Sequence, residues 1–383
     1  MPKFHYQHGA GHKVLQIENR VSVWHVTDTE WQSSPFTVVS SYPRQVTMKY
    51  LLVLVFTWTS AARLIHHHDI YLEEWKAFKL EHNKSYINEE KERVAMKVFA
   101  KNKYNVAKHN QLYERGEVSF RLGINKFSDM TLKQFARING YRQTKRSMED
   151  NFLEATYIKA ANVMPPRSVD WRELGAVTEV KNQELCAACW SFSATGALEG
   201  QHFRKHGHLE SLSEQNLIDC SYNSFNNNGC DGGNVENAFA YVNFIGGIDT
   251  EQNYPYEANQ NKCRYNSTDS EVGDVGISYI PKGNEAELMM AVATIGPIAV
   301  AIDANHESFK GYTSDVYYEK NCSSKRLNHA VLVVGYGRDE RHGDYWLVKN
   351  SYGRDWGEDG YMRLARNRGN HCGVATDATY PLV

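Results

Sequence analysis

The sequence predicts an α+β protein in which a charged helical segment precedes a domain with a helical half, a strand-rich half and a cleft between them. Three observations lead there. Apolar residues recur at three- and four-residue spacing from about Ile70 to Tyr113. Past Pro166 the composition shifts, and Gly, Cys and Trp become frequent. From about Val275 onward β-type runs dominate: "IAVAI", "HAVLVVGYG", "DYWLVKN" and "GYMRLAR".

Along the chain, residues 1–47 are polar and unpatterned. "MKYLLVLVFTWTSAARL" begins at Met48 with a lysine, a short apolar run (Leu51 to Phe56) and then small residues, the layout of a secretory signal peptide. The run is too short to cross a bilayer, which takes about 20 apolar residues. The expected organisation is a mis-assigned extension over 1–47, with translation starting at Met48, and a signal peptide over 48–62. Leu72, Trp75, Phe78 and Leu80 then mark one amphipathic helix, and Val98, Phe99, Val106 and Leu112 a second. "GINKFSDM" is turn-rich, and the polar stretch from Tyr141 to Trp171, with Pro165-Pro166, reads as a linker. "CWSFSATGALEGQHFRKHG" reads as a helix closed by Gly207, and "SLSEQNLIDC" carries Ser211 and Glu214 at capping-box spacing. No internal repeat is visible.

Bulk properties exclude several functions. A hydrophobic fraction of 42% and a charged fraction of 23% suit a globular chain with a sizeable core. A net charge of −2 gives no electrostatic case for binding nucleic acid or an anionic membrane. Neither a Walker loop nor a dinucleotide fingerprint is present. The 23 tyrosines form no low-complexity tract and read as half-buried β-structure and surface. Seven cysteines is an odd number, which in a secreted chain suggests one free thiol beside paired ones.

"NQELCAACW" holds the sharpest chemical signal. A redox pair would be expected near a thioredoxin-like βαβ pattern, and none is present. A zinc site would want a second pair of ligands, and the nearest histidine, His202, stands alone. Nucleophilic catalysis finds partners. Cys189 opens an apparent helix, whose free N–H groups stabilise a thiolate. His329 begins a strand and could take the thiol proton. Asn350 ends another strand and could orient the imidazole. Gln183 could donate its amide N–H to a developing oxyanion, beside the Cys189 N–H. Each residue singly has a bland reading; the constellation is what is specific.

With those residues in order, the chain resembles the papain-like cysteine peptidases, of the cathepsin L type and in precursor form. "VKNQ…C…CWSFSATGALEGQ", "GCDGG", "NHAVLVVGYG" and "KNSYGRDWGEDGY" carry the resemblance, which runs from about residue 70 to 383. It implies the papain-like two-domain fold, with a helical left half, a β-barrel-like right half and a cleft between. It also implies an N-terminal helical inhibitory prodomain over 63–164 and a peptidase domain over 165–383. In that prodomain Phe99, Asn102 and Asn110 match the helical pattern, and Gly123, Asn125, Phe127 and Asp129 the G-x-N-x-F-x-D pattern, while Lys91 and Ala95 depart from it.

The resemblance makes Cys189 the nucleophile, His329 the acid and base, Asn350 the orienter and Gln183 the oxyanion donor. It pairs Cys186 with Cys230, Cys220 with Cys263 and Cys322 with Cys372. It places Gly232, Gly233, Val235, Ala301, Leu327, Ala330 and Asp377 around the substrate's second residue, with Trp356 also against substrate. An acid at Asp377 would admit Arg or Lys as well as apolar side chains. No metal or organic cofactor is implied. The expected partners are protein and peptide substrates and the chain's own propeptide, lying across the cleft in reverse polarity. Asp129 is a candidate acid trigger for its release. The protein is expected to be a monomer of the secretory pathway, lysosomal or extracellular, without stable membrane insertion.

Some positions depart from the family pattern. Glu184 stands where Gly is common, Ala187 and Ala188 replace Gly-Ser, and Tyr352 replaces a tryptophan. Alanine where φ must be positive would be strained. These departures keep open a silent relative that only binds peptides; a freestanding inhibitor is the third class, opposed by the complete peptidase domain. "NKS" at Asn83, "NST" at Asn266 and the triplet at Asn321 have the form of glycosylation acceptors.

Overall fold

The computed structural model describes residues 71–143, 154–158, 163–222, 225–268, 270–273 and 276–383. The expected extension over 1–47 and signal peptide over 48–62 lie outside the described residues.

Helix α1 (71–81) and helix α2 (Glu89–Glu114) bury Trp75, Phe78, Ala95 and Phe99 in a small core of their own. Leu80, the end of the apolar spacing in α1, faces solvent. Asn88 caps α2 by accepting from the Lys91 N–H. Strand β1 (Phe120–Leu122) and the short helix α3 (Leu132–Phe135) follow. The Asn110 side chain grips both backbone groups of Leu122, at 2.8 and 3.0 Å, so α2 sets the position of β1. The expected linker is partly structured: β2 (Glu154–Ala155) and β3 (Val169–Asp170) both join the main sheet.

The helical half holds α4 (Cys189–His206), α5 (Glu214–Cys220) and α6 (Val235–Ile245), with the ribbon of β4 (Ile248–Asp249) and β5 (Ser270–Val272). Gly207 closes α4 in left-handed conformation, φ 77°. The cap of α5 differs from the sequence expectation. Ser213, not Ser211, accepts from the Asn216 N–H. Glu214 is then the first helical residue, and its carboxylate turns inward to Lys181 and Thr195.

The strand-rich half runs β6 (Gly276–Tyr279), α7 (Glu285–Thr294), β7 (Ile298–Ile302), α8 (Glu307–Lys310) and β8 (Tyr312–Tyr317). It continues through β9 (His329–Asp339), β10 (Gly343–Lys349), β11 (Tyr361–Ala365) and β12 (Ala378–Leu382). The sheet order is β1-β8-β11-β10-β9-β7-β12-β6-β2, with β3 beside β9. One apolar cluster fills this half and another lies around α4, α5 and α6.

The helical N-terminal segment is built into the rest of the molecule. β1 pairs antiparallel with β8, and Phe120, Phe127, Phe135 and Ile138 enter the core of the strand-rich half. Lys310 donates to the Met130 carbonyl and Asn125 to the Lys310 carbonyl. Disulfides join Cys186 to Cys230, Cys220 to Cys263 and Cys322 to Cys372, leaving Cys189 as the free cysteine.

Candidate active site

Cys189 is the first residue of α4 and is fully buried. Its Sγ accepts from the Ala330 N–H at 3.5 Å and from the Gly140 N–H at 3.3 Å. Ala330 follows His329 at the start of β9, so the strand delivers the imidazole beside the thiol. His329 Nε2 lies 2.8 Å from Asn350 Oδ1. Because that oxygen accepts, Nε2 carries the proton, and Nδ1, which has no hydrogen-bond partner, keeps its lone pair. That leaves a ring nitrogen able to act as a base. Tyr352 stacks on His329, with ring centroids 4.9 Å apart and planes at 21°. The tyrosine therefore covers one face of the imidazole. Its hydroxyl donates to Asn139 Oδ1.

Gln183 Nε2 donates to the Cys186 carbonyl at 2.9 Å and to the Ile138 carbonyl at 2.8 Å. Ser351, which the sequence reading missed, ties two of the candidates together. Its hydroxyl donates to Gln183 Oε1 at 2.6 Å, and its N–H donates to Asn350 Oδ1 at 2.8 Å. Adjacency to Asn350 was the only signal available.

Residues 138–142 cover this group. Tyr141 forms a parallel bridge with Gly233: the Gly233 N–H donates to the Gly140 carbonyl, and the Arg142 N–H to the Gly233 carbonyl. The segment thus presents the Gly140 N–H to the sulfur. A Cβ on Gly140 would lie 1.7 Å from the Ala187 carbonyl oxygen, so only glycine passes here. Burial pushes the Cys189 thiol up to about 11. Burial also pushes His329 down to about 4, against the Asn350 hydrogen bond, which acts the other way. Both groups are neutral while covered.

Tyr141 lines a pocket together with Val235, Glu236, Ala299, Ala301, Asp377 and Thr379, and its hydroxyl contacts the Asp377 carboxylate. Leu327 and Ala330 pack in the same cluster as Tyr141. Ala299 was legible, since it shares the face of Ala301 at strand period two. Trp356 is fully buried in an aromatic group with Phe309, Tyr312 and Tyr352.

The strain expected at the alanines is absent: Ala188 has φ −101°, and Ala187 is not among the positive-φ residues. It falls on Glu184, φ 55°, at the position where Gly is common. Behind the site, Lys181 bonds Glu214 at 2.9 Å and Lys349 bonds Thr178 at 2.8 Å. Burial pushes Lys349 down to about 8.

The sequence profile of the papain family cysteine protease matches residues 165–382, and that of the cathepsin propeptide inhibitor domain (I29) matches 75–135. The chain is 51% identical over 338 residues to a cathepsin L-like peptidase of Aedes aegypti, covering 87% of this chain and 99% of that protein. It is 49% identical over 315 residues to procathepsin L of Rattus norvegicus, covering 81% and 92%. The fold is similar to that of digestive procathepsin L 3 from Tenebrio molitor larval midgut, with TM-score 0.76, 44% identity, and coverage of 82% of this chain and 99% of that one.

Proposed function

Since the chain belongs to the papain family of cysteine proteases, we propose that Cys189, His329, Asn350 and Gln183 are its catalytic residues. The chain is a cathepsin L-like cysteine endopeptidase in zymogen form, carrying its own inhibitory propeptide. The observation that carries the residue assignment is the junction of the free Cys189 thiol with the His329–Asn350 pair, capped by residues 138–142.

Once the segment leaves, His329 Nδ1 takes the Cys189 proton. The thiolate attacks a peptide carbonyl carbon, and the oxyanion receives the Gln183 Nε2–H that now serves the Ile138 carbonyl. His329 gives its proton to the leaving amine as the C–N bond breaks. Water, deprotonated by His329, then attacks the thioester and releases the acid and the thiol. Asn350 holds the ring throughout.

The proposed cut for maturation lies near Met164–Pro166, a reading supported by the 92% exposure of Met164. Three disulfides favour the secretory pathway, lysosomal or extracellular, and no helix among the described residues is long and apolar enough to cross a membrane. All the proposed groups come from one chain, consistent with a monomer.

The test is acid activation of the precursor, wild type and Cys189→Ala, with mass and Phe-Arg peptide hydrolysis followed together. Wild type alone should trim itself and cleave. If neither does, and Cys189 still resists alkylation after another protease removes the prodomain, the protein only binds peptides.

A further inference from the structure

Asn139 precedes Gly140 in the covering segment, and its side chain is answered by Tyr352. The Tyr352 hydroxyl donates to Asn139 Oδ1, while the buried Asn139 Nδ2 has no hydrogen-bond partner among the described residues. The contact thus runs one way, from phenol to amide oxygen. Phe127 and Phe135 meet the same ring edge to face, with centroids 5.2 and 5.7 Å away. All three of these neighbours precede residue 165, where the match to the peptidase family begins.

The order of contacts gives Asn139 a meaning. Read backward, the segment passes from Tyr141, whose hydroxyl contacts Asp377, to Gly140, whose N–H lies 3.3 Å from Cys189 Sγ, and then to Asn139. Asn139 therefore lies beyond the sulfur, beside the tyrosine that stacks on His329. His329 is also the group that must hand a proton to the departing amine, so the residue owning that amine lies on the same side. We infer that the Tyr352 hydroxyl selects the first substrate residue beyond the cleaved bond, favouring a side chain that offers an acceptor oxygen. The inference rests on the catalytic assignment proposed above. Asn139 occupies the place of that side chain in the precursor. When the propeptide departs, Tyr352 loses Phe127, Phe135 and Asn139 together, and its hydroxyl opens to substrate. Phe309 and Trp356 stay against the ring and hold it in place.

The test uses mature wild type and mature Tyr352→Phe, which keeps the ring and removes the hydroxyl. Two internally quenched peptides differ only in the first residue beyond the cleaved bond, asparagine in one and its near-isostere leucine in the other. Mass spectrometry confirms that the same bond is cut in both. The ratio of kcat/KM for the asparagine peptide to that for the leucine peptide should fall roughly fivefold in the variant, the worth of one neutral hydrogen bond. An equal ratio in the two enzymes overturns the inference and leaves the peptidase assignment standing. A wild type that cleaves neither peptide overturns both. If the variant does not fold, wild type alone decides, with asparagine amide and leucine amide competing against water for one acyl-enzyme. The amine nitrogen bonds the thioester carbon as the C–S bond breaks, and its proton passes through His329 to the sulfur. Asparagine amide should capture at least about threefold more acyl group; equal capture overturns the inference.

Discussion

Gly140 and Tyr141, neighbours in the covering segment, act in opposite ways. Gly140 must be small because its Cα passes over the Ala187 carbonyl, and Tyr141 must be long enough to carry its hydroxyl to Asp377. Gly140→Val should therefore lift the segment from the thiol, and alkylation of Cys189 in the neutral precursor should quicken at least about tenfold, equivalent to about 1.4 kcal/mol of lost covering. An unchanged alkylation rate would show that the segment does not guard the sulfur. Asp377 holds the Tyr141 hydroxyl from the pocket's far end, and Glu236 adds a second acid to the lining. In the mature enzyme, Asp377→Ala should cut kcat/KM for substrates with Arg at the second position while sparing those with Phe. Paired Phe and Arg peptides measure this, and an unchanged ratio means the carboxylate is not read. At this scale the residues proposed as nucleophile, base, orienter and oxyanion donor could be named from the sequence because each sits in a short local motif. Ser351 and Glu236 were not, because their roles arise only when distant segments meet.

Asn110 shows how one helix positions a strand. Its side chain makes two hydrogen bonds to Leu122, and β1 then pairs with β8. Asn110→Ala leaves both Leu122 backbone groups unanswered, at a cost of about 2 kcal/mol. Urea unfolding of the Cys189→Ala precursor should show that loss, and a variant with an unchanged midpoint would mean water replaces the amide without penalty. The helices α1, α2 and α4 and the strands β7, β9, β10 and β11 announced themselves through period and composition. The pairing of β1 with β8 did not, since Phe120 meets Asp315 across most of the chain and no local pattern encodes it. The same holds for β2, which joins the sheet edge from within a stretch that reads as polar linker. The cap of α5 was misread because Ser211 and Ser213 are both plausible, and only the inward turn of Glu214 decides between them.

For global unfolding of the whole molecule, acid acts through buried histidines. Burial pushes both His329 and His371 down to about 4. Between pH 6.5 and about 4 the unfolded chain binds these protons and the folded precursor does not, so stability falls as pH drops through that window. The melting temperature of the Cys189→Ala precursor should decline across it, and His371→Gln should flatten the decline. A flat profile in the parent would mean that these imidazoles are charged in the fold. The division into a helical segment and a domain with helical and strand-rich halves was legible from periodicity and composition, and the resemblance supplied the identities of inhibitor and peptidase. That the inhibitor lends Phe120, Phe127 and Phe135 to the peptidase core was not.

The covered thiol and imidazole have a further consequence. Closed, the site holds Cys189 as thiol and His329 as neutral ring, one proton between them. Open, a thiolate beside an imidazolium also holds one. The two conditions are tautomers, so uncovering the pair shifts a proton from sulfur to nitrogen and exchanges none with solvent. The catalytic pair is then blind to pH as the propeptide departs. Release of the inhibitor by acid would therefore have to be sensed outside this pair.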